Sequence, residues 1–146
     1  MRYYMKSGYY DTLSDAAIDA VAAAAQEPSS PLSQVHVHHL GGAIARIESD
    51  ATPYGHRKAG YVLNIIAGWP DAASSDAHIA WARGVYDAGA AYASGGAYVN
   101  FLGDEGDERV ASAYGEGNFA RLRQLKQVYD PNNVFRYNQN IPAVRT

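Results

Sequence analysis

The chain has 146 residues, 47% of them hydrophobic and 18% charged, with a formal net charge of −3 and no cysteine, which is one domain's worth of sequence with enough apolar content for a core. The missing cysteine excludes disulfide frameworks, thiolate metal sites and thiol nucleophiles within these residues. The mild acidity supplies no basic footprint for nucleic acid or an anionic membrane. No window holds the roughly 18 uninterrupted apolar residues of a membrane helix, and the start has no signal-peptide pattern, so a soluble, unexported, cytoplasmic protein is expected. The unusual entry is tyrosine, twelve against three Phe and two Trp; a phenol wants a polar partner when buried, which favours a ligand-facing surface over a purely apolar core.

In chain order, Ala16–Ala25 predicts a first helix, capped by Ser14 or Thr12 and stopped by the segment Glu27 to Pro31. Ser33–Leu40 alternates like a strand, and Ala43–Ile47 alternates again after Gly41-Gly42, so the glycine pair predicts a tight hairpin or a kink. Tyr61–Trp69 reads as a long strand ended by Pro70, and Ser75 to Tyr92 as a helix whose Ile79, Ala82, Val85, Tyr86 and Gly89 form one stripe. A short strand is expected over Ala97–Leu102, then a solvated acidic turn (103–108), then a last helix from Asn118 to Tyr129. The mixture predicts a single α+β domain over residues 1–146: an antiparallel sheet with helices packed on one face.

Two constellations could carry chemistry. On a strand His36 and His38 share a face and His39 points away; the pair could line a substrate cleft, could simply pack, or could ligate a metal with His56 or His78, although a catalytic zinc needs three ligands and a supporting shell. Tyr98 and Asn100 on the Ala97–Leu102 strand would likewise share a face, a phenol for proton transfer beside an amide that can orient a carbonyl or hydroxyl, or a pair that merely satisfies itself. Phosphate loops and a Gly-x-Ser-x-Gly elbow are missing. The acidic turn has no EF-hand spacing.

The C-terminal half carries a more specific pattern. Tyr98-Val99-Asn100-Phe101-Leu102, Ala113-Tyr114-Gly115, Asn118-Phe119 with Arg121, Leu122, Leu125 and Lys126, Tyr129-Asp130-Pro131 with Asn133 and Phe135, and the ending Asn138-Gln139-Asn140-Ile141-Pro142 follow one another in order. Together they resemble the C-terminal segment of FAD-linked oxidases of the berberine-bridge-enzyme type. Upstream, Lys6-Ser7-Gly8-Tyr9, Pro31-Leu32-Ser33-Gln34, Leu40-Gly41-Gly42-Ala43 and Tyr54 with His56-Arg57 extend the likeness over nearly the whole chain.

The resemblance implies a substrate-domain sheet lying over a flavin ring. Tyr98 and Asn100 would face the flavin–substrate cleft with His36 and His38 on the same surface, and Asn138 and Gln139 would lie near the cofactor. Where plant members carry a glutamate base shortly after the Gly-Gly pair, this chain has Arg46, so Tyr98 becomes the candidate base. Family members hold FAD mainly through an N-terminal domain whose signatures are missing from this sequence, so this chain alone is not expected to bind FAD tightly. The implied function is the substrate-binding half of a split or truncated oxidase acting on a small alcohol, sugar or natural-product intermediate, completed by a separate FAD-binding subunit. The alternative is a flavin-independent cyclase, isomerase or small-molecule-binding protein of natural-product biosynthesis. Homodimerisation through an uncovered sheet face is expected either way.

Overall fold

The computed structural model describes residues 1–103, 105–137 and 139–144. Three antiparallel strands form one sheet in the order β1-β3-β2, with β1 at Arg2–Tyr10, β2 at Gln34–His39 and β3 at Tyr61–Trp69. β3 is central, and β2 has a partner strand on one side only. β1 is the element that sequence pattern misses. Tyrosines at 3, 4, 9 and 10 fall on both faces and hide the period-two signal.

One face of the sheet is backed by helices. Leu63, Ile65, Ala67 and Trp69 of β3 join Tyr10 of β1 and Ala82 and Val85 of α2 (Ser75–Gly89) in the main core, and Val21 and Ala24 of α1 (Asp15–Ala25) pack against it. α1 begins as expected: Ser14 is the N-cap and its Oγ accepts from the Ala17 N–H at 3.2 Å, a contact typically worth about 1 kcal/mol. α2 is fixed to the end of β3, where Trp69 Nε1 donates to Ser75 Oγ and the indole stacks on His78. The expected helix ends three residues early, and Ala90–Tyr92 form a 3-10 turn instead.

The last third of the chain makes a second small layer. Helix α3 (Asp107–Tyr114), unforeseen behind its acidic start, and α4 (Glu116–Tyr129) enclose Ala97, Leu102, Val110 and Ala113. The layer docks on β1 through polar contacts. Lys6 Nζ pairs with Glu105 Oε2 at 2.8 Å and Arg109 Nε lies 3.4 Å from the same oxygen. The Tyr98 N–H donates to Ser7 Oγ at 3.0 Å, and Arg109 Nη2 to the Ser7 carbonyl at 3.3 Å. The part of the acidic turn read as solvated thus includes Glu105, a nearly buried ion-pair partner; Asp104 lies outside the described residues.

Two expected strands are turns. Ala97–Leu102 holds a 3-10 turn at Val99–Phe101, because Gly95 and Gly96 adopt φ of +92° and +73° and allow a single bridge to Tyr9 before the chain turns away. A Cβ at Gly96 would also stand 2.3 Å from His56 Cε1, so this approach needs glycine. Ala43–Ile47 is likewise a 3-10 turn at Ile44–Arg46, since positive φ at Gly41 and Gly42 makes the pair a kink and not a hairpin. α4 starts two residues before the expected Asn118. Its end is closed by Asp130, which is paired with Lys126 and accepts from the Val134 and Phe135 N–H groups at 2.7 and 3.1 Å. The lysine contact, backed by those two N–H bonds, holds this carboxyl below the usual aspartate range.

Candidate functional site

The other face of the sheet is built differently. Strand pairing sets its residues in rows across β1, β3 and β2: Met5–Ile66–Gln34, then Ser7–Asn64–His36, then Tyr9–Val62–His38. Among the described residues no α-helical side chain lines the last row. An open cleft of about 360 Å³ sits there, floored by Tyr9, Val62 and His38. The long connection between β2 and β3 supplies Leu40, Ile44, Tyr54 and Arg57 as one wall, and the 3-10 turn supplies Tyr98 and Phe101 as the other.

The walls are mostly aromatic rings held edge to face. Tyr54 meets Tyr98 at 6.0 Å and 85°, Tyr98 meets Phe101 at 4.9 Å and 87°, and His38 leans on Phe101 at 5.9 Å. Such edge-to-face contacts fix ring planes and leave flat surfaces available to a ligand. Beneath them Tyr9 stacks on His56 at 4.4 Å, and His56 Nε2 lies 3.0 Å from the Ser112 carbonyl. Burial raises the Tyr9 phenol far above the ordinary tyrosine value, with the neighbouring Tyr54 and Tyr98 phenols adding to it. Tyr9 is therefore a proton-bearing donor and not a base. Arg57 stands over the Tyr54 ring at 5.2 Å, and among the described residues no carboxylate lines the cleft.

The structure brings together four of the residues picked out in the sequence, though not as two strand pairs. Tyr98 lines the cleft, and Asn100, exposed beside it, donates from Nδ2 to Tyr98 Oη at 2.9 Å. They meet across a 3-10 turn, so the amide reaches back along the phenol ring rather than standing parallel to it on a strand. His38 lines the cleft; His36 flanks it one row away, 5.8 Å ring to ring, with Nε2 2.8 Å from Gln34 Oε1. Gln139 is placed elsewhere, where its Nε2 ties the C-terminal segment to the Leu102 carbonyl at 2.7 Å. Asn138 lies outside the described residues. Among the described residues no three His, Asp or Glu side chains converge as a metal site, and no helix is long and apolar enough to cross a membrane.

Sequence reasoning did not single out Tyr9, Tyr54, Arg57 and Phe101 as site residues. For Tyr9 the signal was there in principle, since its parity with Ser7 and Met5 assigns it to the cleft face once β1 is known. Tyr54 and Arg57 come from a connection without regular structure, where no periodicity points a side chain.

A flat ring bounded by Tyr54, Tyr98, Phe101 and His38 suits this carboxylate-free cleft, whose Arg57 Nε is a buried donor without a partner. The fit extends to a ring system alone, because no glycine-rich phosphate loop accompanies it among the described residues.

Comparison with known proteins returns a consistent set. The sequence model of the family described as "Berberine and berberine like" matches residues 97–142. The FAD-linked oxidoreductase YvdP of Bacillus subtilis is 37% identical over 105 residues, covering 72% of this chain and 23% of that protein. YgaK of the same organism is 31% identical over 133 residues, covering 91% and 29%, and monolignol oxidoreductase AtBBE-like 13 of Arabidopsis thaliana is 35% identical over 130, covering 80% and 24%. Among solved structures, wild-type BBE-like 1 of Physcomitrella patens superposes with a TM-score of 0.83 at 26% identity, over 99% of this chain and 31% of that one. The chain thus spans between 23% and 29% of the length of these curated relatives.

Proposed function

We propose that this chain, which belongs to the berberine-bridge-enzyme type of FAD-linked oxidoreductases, forms the substrate side of an oxidase active site on a small alcohol, sugar or natural-product intermediate. FAD is then held mainly by another portion, either a separate subunit or the rest of a longer protein. The observation that carries the reading is the aromatic cleft on the sheet face opposite α1 and α2, with the Tyr98 phenol on its wall and Asn100 bonded to that phenol. When bound, the flavin supplies a hydride acceptor.

The chain's own residues do the rest. The rings of Tyr54, Tyr98 and Phe101 position a flat or ring-shaped substrate, and Val62, Leu40 and Ile44 exclude water from its apolar side. Tyr98, as the phenolate, takes the proton from the substrate hydroxyl and becomes a neutral phenol, and the Asn100 amide, a neutral donor bonded to that oxygen, supports its negative charge until the proton arrives. Tyr9, buried and protonated, keeps the floor neutral. Gln139 holds the C-terminal segment to Leu102, the residue following the Phe101 wall, and so acts on the cleft's shape rather than on substrate.

A surface for the FAD-bearing portion accompanies the cleft. Val128, Tyr129, Val134, Phe135 and Tyr137 are between 62% and 93% exposed at the end of α4 and just beyond it, a concentration of apolar surface that soluble chains usually cover. A second copy of the chain is the competing occupant. Mixing the chain with the FAD-binding portion of a bacterial relative should give a yellow complex whose flavin bleaches anaerobically with substrate. Tyr98→Phe should keep the colour and slow the bleaching by about 10²–10⁴-fold. A colourless mixture overturns the reading, and turnover of a substrate by flavin-free protein favours a cyclase or isomerase instead. Light scattering on the chain alone distinguishes self-association from a vacant docking surface.

A further inference from the structure

We infer that the cleft accepts ligands bearing a carboxylate, and that Arg57 pairs with it. This rests on reading the cleft as the substrate site and narrows the substrate class to ring compounds with an acid group.

Arg57 is the cation that lines the cleft, and like Arg123, which donates to the Pro142 carbonyl, it is held by neutral acceptors. Lys6 and Arg109 share Glu105, and Lys126 has Asp130. Among the described residues Arg57 has no carboxylate within ion-pair distance. Its Nη2 donates to Thr52 Oγ1 at 2.6 Å and its Nη1 to the Ile44 carbonyl at 3.5 Å, both neutral acceptors, while its Nε–H is buried without a partner. Glu48 and Asp50 lie on the loop that Arg57 grips, yet neither pairs with it. A guanidinium partly withdrawn from water and left without a counter-charge is costly to keep, and its planar fork matches a carboxylate better than any other common anion except phosphate.

The surroundings set the rest of the ligand. Arg57 lies over Tyr54, at the edge of a cleft lined otherwise by rings, aliphatic side chains and the Tyr98 phenol. A flat ring between Tyr54 and Phe101 would carry its acid group towards Arg57 and leave the opposite end towards Tyr98. The two polar groups then recognise two ends of one molecule.

The test uses a pair of probes that differ only in charge, cinnamate and cinnamyl alcohol, titrated by NMR onto the 146-residue chain. Cinnamate should bind roughly tenfold more tightly, the scale of one charge-assisted hydrogen bond in a partly exposed site, and the preference should shrink as salt is raised. Arg57→Gln should bring the ratio of the two affinities close to one. Thr52→Val, which removes the loop anchor and leaves the cation, should keep the preference. Equal binding of the two probes, a salt-independent ratio, or a preference surviving in Arg57→Gln each overturns the inference. Failure of both probes to bind also overturns it. None of these results bears on whether the FAD-binding portion yields a yellow, reducible complex, so the oxidase reading stands or falls by its own experiment.

Discussion

The two faces of the sheet are made from alternate residues of the same strands, and they differ in kind. On the helix-backed face, Leu63, Ile65, Ala67 and Trp69 meet α1 and α2 in continuous apolar packing. On the opposite face the corresponding positions are Val62, Asn64, Ile66 and Gly68 of β3, with Ser7 and Tyr9 of β1 beside them. What covers that side is a kinked connection, a 3-10 turn and a layer attached by ion pairs. The comparison teaches that stability and site are separated across a single strand. One face is sealed by two helices, while the other is covered by turns and a docked layer that leave a cleft beside Tyr9, Val62 and His38.

Mutations should break or sharpen this division. The largest effect is expected in the packed face: Ile65→Ala, at a position with no exposure, should cost about 2–5 kcal/mol in urea unfolding. A loss under about 1 kcal/mol would show that this core is not where stability resides.

Next comes the joint between the layers. Glu105→Ala strands Lys6 and Arg109 and should cost on the order of 3 kcal/mol. Faster hydrogen exchange at the Tyr98 amide, with the Ile65 amide unaffected, would show that the second layer opens separately.

Alkaline pH probes the buried phenols of both faces. Tyr9, Tyr10 and Tyr114 are all raised, chiefly by burial, so the unfolded chain loses those protons first. Stability should be flat up to about pH 10 and fall above it. In Tyr9→Phe the fall should be shallower by one proton, read from the slope of unfolding free energy against pH. The smallest stability change belongs to the cleft wall itself. Tyr98→Phe should shift stability by less than about 0.5 kcal/mol, since among the described residues its hydroxyl bonds exposed Asn100 alone.

Legibility in the sequence follows the same division. α1, β2 and most of α2 are visible through their periodic apolar positions, and β3 through a continuous strand-forming run buried on both faces, so that Tyr61–Trp69 is read to the residue. β1 is hidden because it carries tyrosines on both sides, and α3 because its first turn is acidic, as the positive end of a helix favours. The two false strands, Ala43–Ile47 and Ala97–Leu102, alternate in sequence yet follow glycine pairs with positive φ that carry them off the sheet. At the site, Tyr98, Asn100, His36 and His38 are found by residue type and neighbourhood, while Tyr54 and Arg57 arrive through a long connection that no local rule orients. Gln139, expected near the cofactor, bonds the Leu102 carbonyl, a tertiary contact between segments 37 residues apart that no local pattern shows.

β2 leaves the sheet with an unguarded rim. Its sequence, Gln34-Val35-His36-Val37-His38-His39, contains neither lysine nor proline, and Val37 is 53% exposed beside α1. Rims of this sort act as templates onto which another extended segment can zip. For anyone producing the chain in quantity, this is the expected starting point of fibril-like assembly, and Val37→Lys is the gatekeeper to install first. The same property makes β2 the natural splice point for grafting a further strand and enlarging the sheet by design.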